Sequence, residues 1–412
     1  MRANPVLLVG TLDTKGHELA FVRDLLRRQG LATLIIDVGS SGAPVVPADI
    51  DREEVFQRAG TSLALVRERG DRGLAVATAA QGVARLVTEL ASKMSIAGIF
   101  GLGGSAGTEI ATSAMRQLPF GVPKVMVSTL ASGQTRPYVR GSDITMVFPV
   151  ADIAGLNRLS RTALTNAALG LAGMVRLPRE PENIDASRPV VAATMFGVTT
   201  PCVDRARHVL EEGSVEVIVF HATGVGGQAM EGLVRDGQIA GVLDLTTTEI
   251  ADELVGGVLS AGPDRLEAAG RHRVPQVVSL GALDMVNFGP MATVPSQFAG
   301  RKFHAHNPSV TLMRTTSAEN ERIGLYMAEV LSRAQGPVVL LIPRRGLSAL
   351  DAPGQPFHDP DADDALFSTL TRELAVHPQI RVESRDEHIN DSSFATAAAR
   401  AMAEQLSLRK GL

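Results

Sequence analysis

Two glycine turns are the first candidates for chemistry in this chain: GLGGSAGT at 101–108 and GVGGQAME at 224–231. Each follows an apolar run, IAGIF at 96–100 and VEVIVF at 215–220, and each leads into helical periodicity. Glycines at a helix start let backbone N–H groups approach an anion with no Cβ in the way, and the helix dipole favours negative charge there. In the first turn Gly103 and Gly104 give close approach, while Ser105 and Thr108 add hydroxyls. A neighbouring turn, GTLDTKG at 10–16, brings Gly10, Thr11, Asp13, Thr14 and Lys15: two hydroxyls, a carboxylate and a cation. Ser128, Thr129 and Ser132 follow a third apolar run, and Asp37 ends a fourth. This inventory suits phosphates, with Asp37 in the position of an acid that takes ribose hydroxyls in dinucleotide folds. GxxxxGK[ST] is absent, and no GxGxxG follows the first strand, so neither of those fingerprints applies. Each turn alone reads equally as tight packing of helix on sheet, with Asp13 or Thr14 as a helix cap. The case for a site is the convergence of four turns on one sheet edge.

In the second half, Gly226 and Gly227 are candidates for a second anion cradle, with Gln228 as an amide donor and Glu231 as an acid. LTTTE at 245–249 adds Thr246, Thr247 and Glu249. Asp284 and Asn287 fall in a predicted loop, GALDMVNFG. A long polar loop over 342–364 carries Arg344, Arg345, Ser348 and Asp351; loops of that length in compact domains are functional or unstructured. His304 and His306 share one side of FHAHN if it is extended. A metal pair with Asp284 is one reading of them, and surface histidines the plainer one. GxSxG is absent, and no Ser-His-Asp arrangement stands out.

The elements that must position these residues read clearly. Apolar runs at 6–10, 32–38, 96–100, 124–128 and 144–148 alternate with helical patterns at 17–29, 74–92 and 157–175. Strands without polar alternation are buried on both faces, as in a parallel sheet covered by helices. The rhythm restarts near 189, with strands at 189–197, 215–220, 239–245, 274–280, 309–313, 338–342 and 379–383 and helices from 201, at 316–335 and at 392–407. Thr316 and Glu319 form a predicted capping box. The expected architecture is α/β: two Rossmann-like lobes, each an open, mostly parallel sheet covered by helices, with a ligand cleft between them. The expected boundaries are an N-terminal lobe at 1–180, a linker at 181–189 and a C-terminal lobe at 190–412.

Forty basic and 44 acidic residues give a formal charge of −4 with no long run of one sign, which speaks against a nucleic-acid partner. No apolar run approaches membrane length, and the five-residue run at the N-terminus is too short for a signal peptide. The lone Cys202 cannot form an intrachain disulfide and reads as a buried thiol, so the expected compartment is the cytoplasm.

Several long motifs, VGTLDTKGHELAFVRDLL, IIDVGSSG, GLGGSAGT, HATGVGGQAMEGLV, DLTTTEIADEL, HNPSVTLMRTT and RRGLSALDAPGQPFHDPDADDALF, resemble a family of largely uncharacterised bacterial, fungal and plant proteins. That family is related to the N-terminal ATP-binding domain of the tomato mosaic virus resistance protein. The resemblance covers nearly the whole chain. It implies two α/β lobes, ATP with Mg²⁺ and a homodimer. It maps the nucleotide onto Gly10, Thr11, Asp13, Thr14, Lys15, Gly103, Gly104, Ser105, Thr108, Ser128 and Thr129. The resulting expectation is an ATP-using enzyme acting on a small metabolite between the lobes, with Gly226, Gly227, Gln228, Thr247, Glu249, Arg344 and Ser348 around the second ligand. Two alternatives stand beside it: a nucleotide-binding module without turnover, and an oxidoreductase or metal-dependent hydrolase on a related fold.

Overall fold

The computed structural model describes residues 4–133, 135–177 and 188–410. It divides into two units, Met1–Glu182 and Asn183–Leu412. Most of the expected linker, 181–187, lies outside the described residues.

The first unit is built on β1 (Val6–Gly10), β2 (Thr33–Asp37), β3 (Gly98–Gly103), β4 (Lys124–Ser128) and β5 (Thr145–Val147). They form one parallel sheet in the order β2-β1-β3-β4-β5. Alternation along the strands feeds two cores. Leu7, Val9, Ile36, Ile99 and Met126 pack with helices Arg72–Lys93 and Ser105–Met115. Val6, Leu8, Ile35, Phe100 and Val127 pack with helices Gly16–Arg28 and Arg158–Arg176. The chain winds one way from β1 to β2 and the other way from β3 onward. In sheets of this winding, ligands bind outside the carboxyl ends of the strands at the point of reversal, here between β1 and β3.

The second unit repeats the plan. Its large sheet holds β6 (Val190–Met195), β7 (Glu216–His221), β8 (Gly241–Thr246), β9 (Gln276–Gly281), β13 (Val338–Pro343) and β14 (Ile380–Arg385). All pairings are parallel, in the order β7-β6-β8-β9-β13-β14. Counted along this sheet alone, that is the winding of the first unit with one strand added. Between β9 and β13 the chain makes a three-stranded antiparallel sheet of β10 (Met285–Phe288), β11 (Phe303–Asn307) and β12 (Val310–Arg314). The expected loop around Asn287 is thus largely strand β10. The Thr316 capping box forms as expected and opens helix Ser317–Ser332. No helix among the described residues is long and apolar enough to cross a membrane.

Candidate functional site

At the first unit's carboxyl edge, the expected glycine loop is shorter than its motif. β3 runs through Gly103, and helix Ser105–Met115 begins at once, leaving Gly104 as its N-cap residue with no side-chain cap. The long helices Arg72–Lys93 and Arg158–Arg176 are capped by Asp71 and Asn157. The glycines differ in role. A Cβ on Gly103 would lie 2.9 Å from Gly107 Cα, so this position serves packing. A Cβ on Gly104 would meet nothing nearer than Thr129 Oγ1 at 3.8 Å. Thr108 and Ser128 are buried and bond each other at 2.6 Å, tying the helix to β4. Ser105 is exposed and Thr129 half-buried, and neither hydroxyl bonds another described residue. Uncapped N–H groups, two unengaged hydroxyls and open space above Gly104 therefore meet beside the β1–β3 point of reversal.

The turn after β1 is held from within. The N–H groups of Thr14 and Lys15 donate to the Thr11 carbonyl, and the Thr11 and Thr14 hydroxyls bond at 2.7 Å. Lys15 Nζ donates to the Ile153 carbonyl, which leaves two of its three N–H donors. Asp37 departs from its expected ribose role. It is 1% exposed; its Oδ1 accepts the N–H groups of Leu12 and Gly39, and its Oδ2 pairs with Arg52 Nε at 2.6 Å. An acid so enclosed fixes the two turns and offers no free oxygen. Asp13 Oδ2 accepts the Ser41 N–H and lies 3.7 Å from Arg52 Nη1, while its Oδ1 has no hydrogen bond.

The second glycine turn already has an anion. Gly224 and Gly227 donate their N–H groups to Glu249 Oε1, the second at 3.1 Å. Glu249 is fully buried, and its Oε2 pairs with Arg265 Nε at 2.8 Å. A Cβ on Gly227 would lie 2.2 Å from Glu249 Oε2, and one on Gly226 would lie 1.9 Å from the His221 carbonyl oxygen. The expectation that Gly226 and Gly227 cradle an external anion is therefore corrected: the protein's own carboxylate fills the place. The remaining second-lobe candidates scatter. Gln228 bonds the Ala261 carbonyl, and Thr247 bonds the Ser279 carbonyl. Arg344 is exposed, pairs with Asp364 and covers the Phe367 ring. Ser348 is buried and donates to Asp284 Oδ2 at 2.8 Å.

Sequence reasoning singled out Glu231, Glu249, Asp284 and Asp351 but missed the buried charge clusters that they join. Arg265, 1% exposed, is flanked by Asp244, Glu249 and Glu231. Burial raises the Glu231 carboxyl, and the Arg265 charge opposes that rise. Asp244 within the apolar strand GVLDLT was the available signal, because a charge there requires a partner. In the other cluster Arg314 bonds Asp363 at 2.6 Å and lies 4.0 Å from Asp351, with Asp284 beside them. Burial, then the Asp351 charge, pushes Asp284 up to about 7; burial, partly offset by Arg314, pushes Asp363 up to about 8. Asp252 also rises to about 7 by burial.

His304 packs edge-on against Phe357, and no group of three or more His, Cys, Asp or Glu among the described residues is arranged to hold a metal. Burial pushes the Cys202 thiol up to about 12.

Comparison with known proteins adds kinship. Residues 4–180 match the N-terminal domain, and residues 188–406 the C-terminal domain, of an uncharacterised protein family, UPF0261. A UPF0261 protein of Clostridium tetani is 50% identical over 96% of this chain and 97% of its own length. One from Mesorhizobium japonicum is 47% identical over 96% and 97%. The ToMV resistance protein Tm-1 of Solanum lycopersicum is 42% identical over 95% of this chain, which spans 54% of that protein. Its ToMV-susceptible counterpart matches to the same extent.

Proposed function

We propose, from the premise that this chain belongs to the UPF0261 family, that its first lobe binds the phosphates of ATP at the start of helix Ser105–Met115. One observation carries the reading. The turn at Gly104 is uncapped and open, while the chain's other GxGG turn is closed over the carboxylate of Glu249. A turn of this type in this protein thus takes an anion, and the first lobe leaves that place free for one from outside. Ser105, Thr129 and the remaining donors of Lys15 supply further contacts at the same edge. Mg²⁺ in nucleotide sites is held largely by phosphate oxygens and water with one or two carboxylates, and Asp13 Oδ1 carries no hydrogen bond.

Use of the bound ATP on a small metabolite is the fuller form of this reading. Binding without turnover is the second form: no residue at this edge stands out as a base, and Asp37 is held by Leu12, Gly39 and Arg52. Thermal-shift screening against ATP, ADP, NAD and sugar acids, with and without Mg²⁺, tests the proposal. A ligand at ~100 times its Kd stabilises by about 2.7 kcal/mol. Gly104→Val and Lys15→Ala should abolish the ATP shift. A normal ATP shift in both variants would overturn the phosphate assignment, and hydrolysis followed in parallel separates the two forms.

A further inference from the structure

We propose that Phe148 and Val150, in the loop leaving β5, form the platform on which the base of the bound nucleotide stacks. This rests on the phosphate reading above and adds the residues that distinguish a nucleotide from a bare polyphosphate. Three observations converge. First, both side chains are apolar and solvent-facing at the carboxyl edge of the sheet: Phe148 is 42% exposed and Val150 75%.

Second, the register sets their distance from the cradle. Gly103 pairs with Ser128 across β3 and β4, and Val127 pairs with Val147 across β4 and β5. Phe148 is therefore level with Gly103, two strand spacings or about 10 Å away. That separation matches the reach from phosphate to base in an extended nucleotide. Alternation also sets the face. Met146 packs in the core shared with helix Ser105–Met115, and Val147 packs in the opposite core. One residue further on, Phe148 falls on the helix's side of the sheet.

Third, Val150 has φ of 67°, a region that β-branched residues avoid. The Ala151 N–H donates to the Pro149 carbonyl at 2.7 Å and closes a three-residue turn around it. The turn holds an apolar side chain out in water, and no core burial offsets the strain. A planar apolar ligand laid across Phe148 and Val150 supplies the missing contact, and every nucleobase has such a face. Aromatic stacking of this kind tolerates any base, so purine triphosphates should bind at least as well as pyrimidine ones.

The experiment compares Mg²⁺–ATP with Mg²⁺–tripolyphosphate by calorimetric titration on the full chain, using wild type, Phe148→Ala and Phe148→Tyr. The expected result is that Phe148→Ala weakens ATP about ten-fold or more, leaves tripolyphosphate unchanged and melts, without ligand, at the wild-type temperature; Phe148→Tyr should restore ATP binding. Equal ATP affinity in wild type and Phe148→Ala, with tripolyphosphate still bound, would overturn the platform and spare the phosphate site. Failure of the wild type to bind either compound would sink the phosphate reading and the platform together.

Discussion

Replacing Glu249 with Ala tests the central comparison between the two glycine turns. The wild-type carboxylate accepts the N–H groups of Gly224 and Gly227 and pairs with Arg265 at 2.8 Å, in a place with no solvent exposure. The substitution leaves two buried donors unmet and removes one of the carboxylates around a buried guanidinium. Breaking a buried pair in this way costs about 3–5 kcal/mol, and the orphaned amides belong within that figure rather than on top of it. For a unit of this size, each kcal/mol moves the melting temperature by about 2–4 °C, so the second lobe should melt roughly 6–20 °C lower. The assay is calorimetry of the full chain, followed by repetition in rising formate or acetate at constant ionic strength. Either anion should refill the turn, and at ten times its Kd it should return about 1.4 kcal/mol. Wild type should not respond, because its turn is occupied. A variant that melts with wild type, or one that is indifferent to carboxylates but not to general salt, would refute the claim that this turn is an anion cradle.

Further outcomes follow from the same geometry. Stability of the second lobe should fall as pH rises from about 4 to about 8. Asp252 and Asp284 at about 7 and Asp363 at about 8 lie above the ~3.9 of an unfolded Asp, so the folded lobe holds protons that the unfolded chain has released. Stability from this source is full below that window and is lost through it, at up to about 1.4 kcal/mol per pH unit for each group; Asp284→Asn should flatten the slope of denaturant midpoint against pH. Gly104→Ala should cost the first lobe no more than about 1 kcal/mol without ligand, the difference between these residues at a helix N-cap, whereas Gly226→Ala, with its Cβ 1.9 Å from a carbonyl oxygen, should destabilise the second lobe by at least the ~1–3 kcal/mol typical of overpacking. Asp37→Ala should destabilise the first lobe by about 3 kcal/mol with no nucleotide present, because it removes the nearer carboxylate of Arg52 and orphans the N–H groups of Leu12 and Gly39, while Asp13 and the Gly42 carbonyl still hold Arg52; a variant that lost only ligand affinity would restore the ribose role.

Most strands of the two parallel sheets were legible because they are continuous apolar runs, with the edge strand β14, IRVESR, the exception, and their alternation with helical patterns named the class. The first glycine turn was legible as a strand-to-helix junction from residue type and position, and Gly104 does stand there uncapped. What the sequence hid is three-dimensional partnership. Nothing in LTTTE says that Glu249 reaches back to a turn more than twenty residues earlier, and nothing in GLGG says that β3 runs through Gly103. Asp37 looked like a ligand-facing acid, since position alone cannot distinguish that from an acid anchored by Arg52. β10 and β11 were missed because short antiparallel strands carry histidines and asparagines that read as loop. Arg265 and Arg314 gave no warning, because burial of a guanidinium is decided by carboxylates far along the chain.

Each apolar core draws its side chains from one half of the chain alone: Val6 to Ala172 for the first unit, Val191 to Leu406 for the second. Among the described residues, no sheet of one unit takes a strand from the other unit. Either half has what an independent domain requires, so a gene severed between them should yield two soluble products. The nucleotide capture proposed for the Gly104 turn should then travel with the amino-terminal product, and the acid-dependent melting with the carboxyl-terminal one.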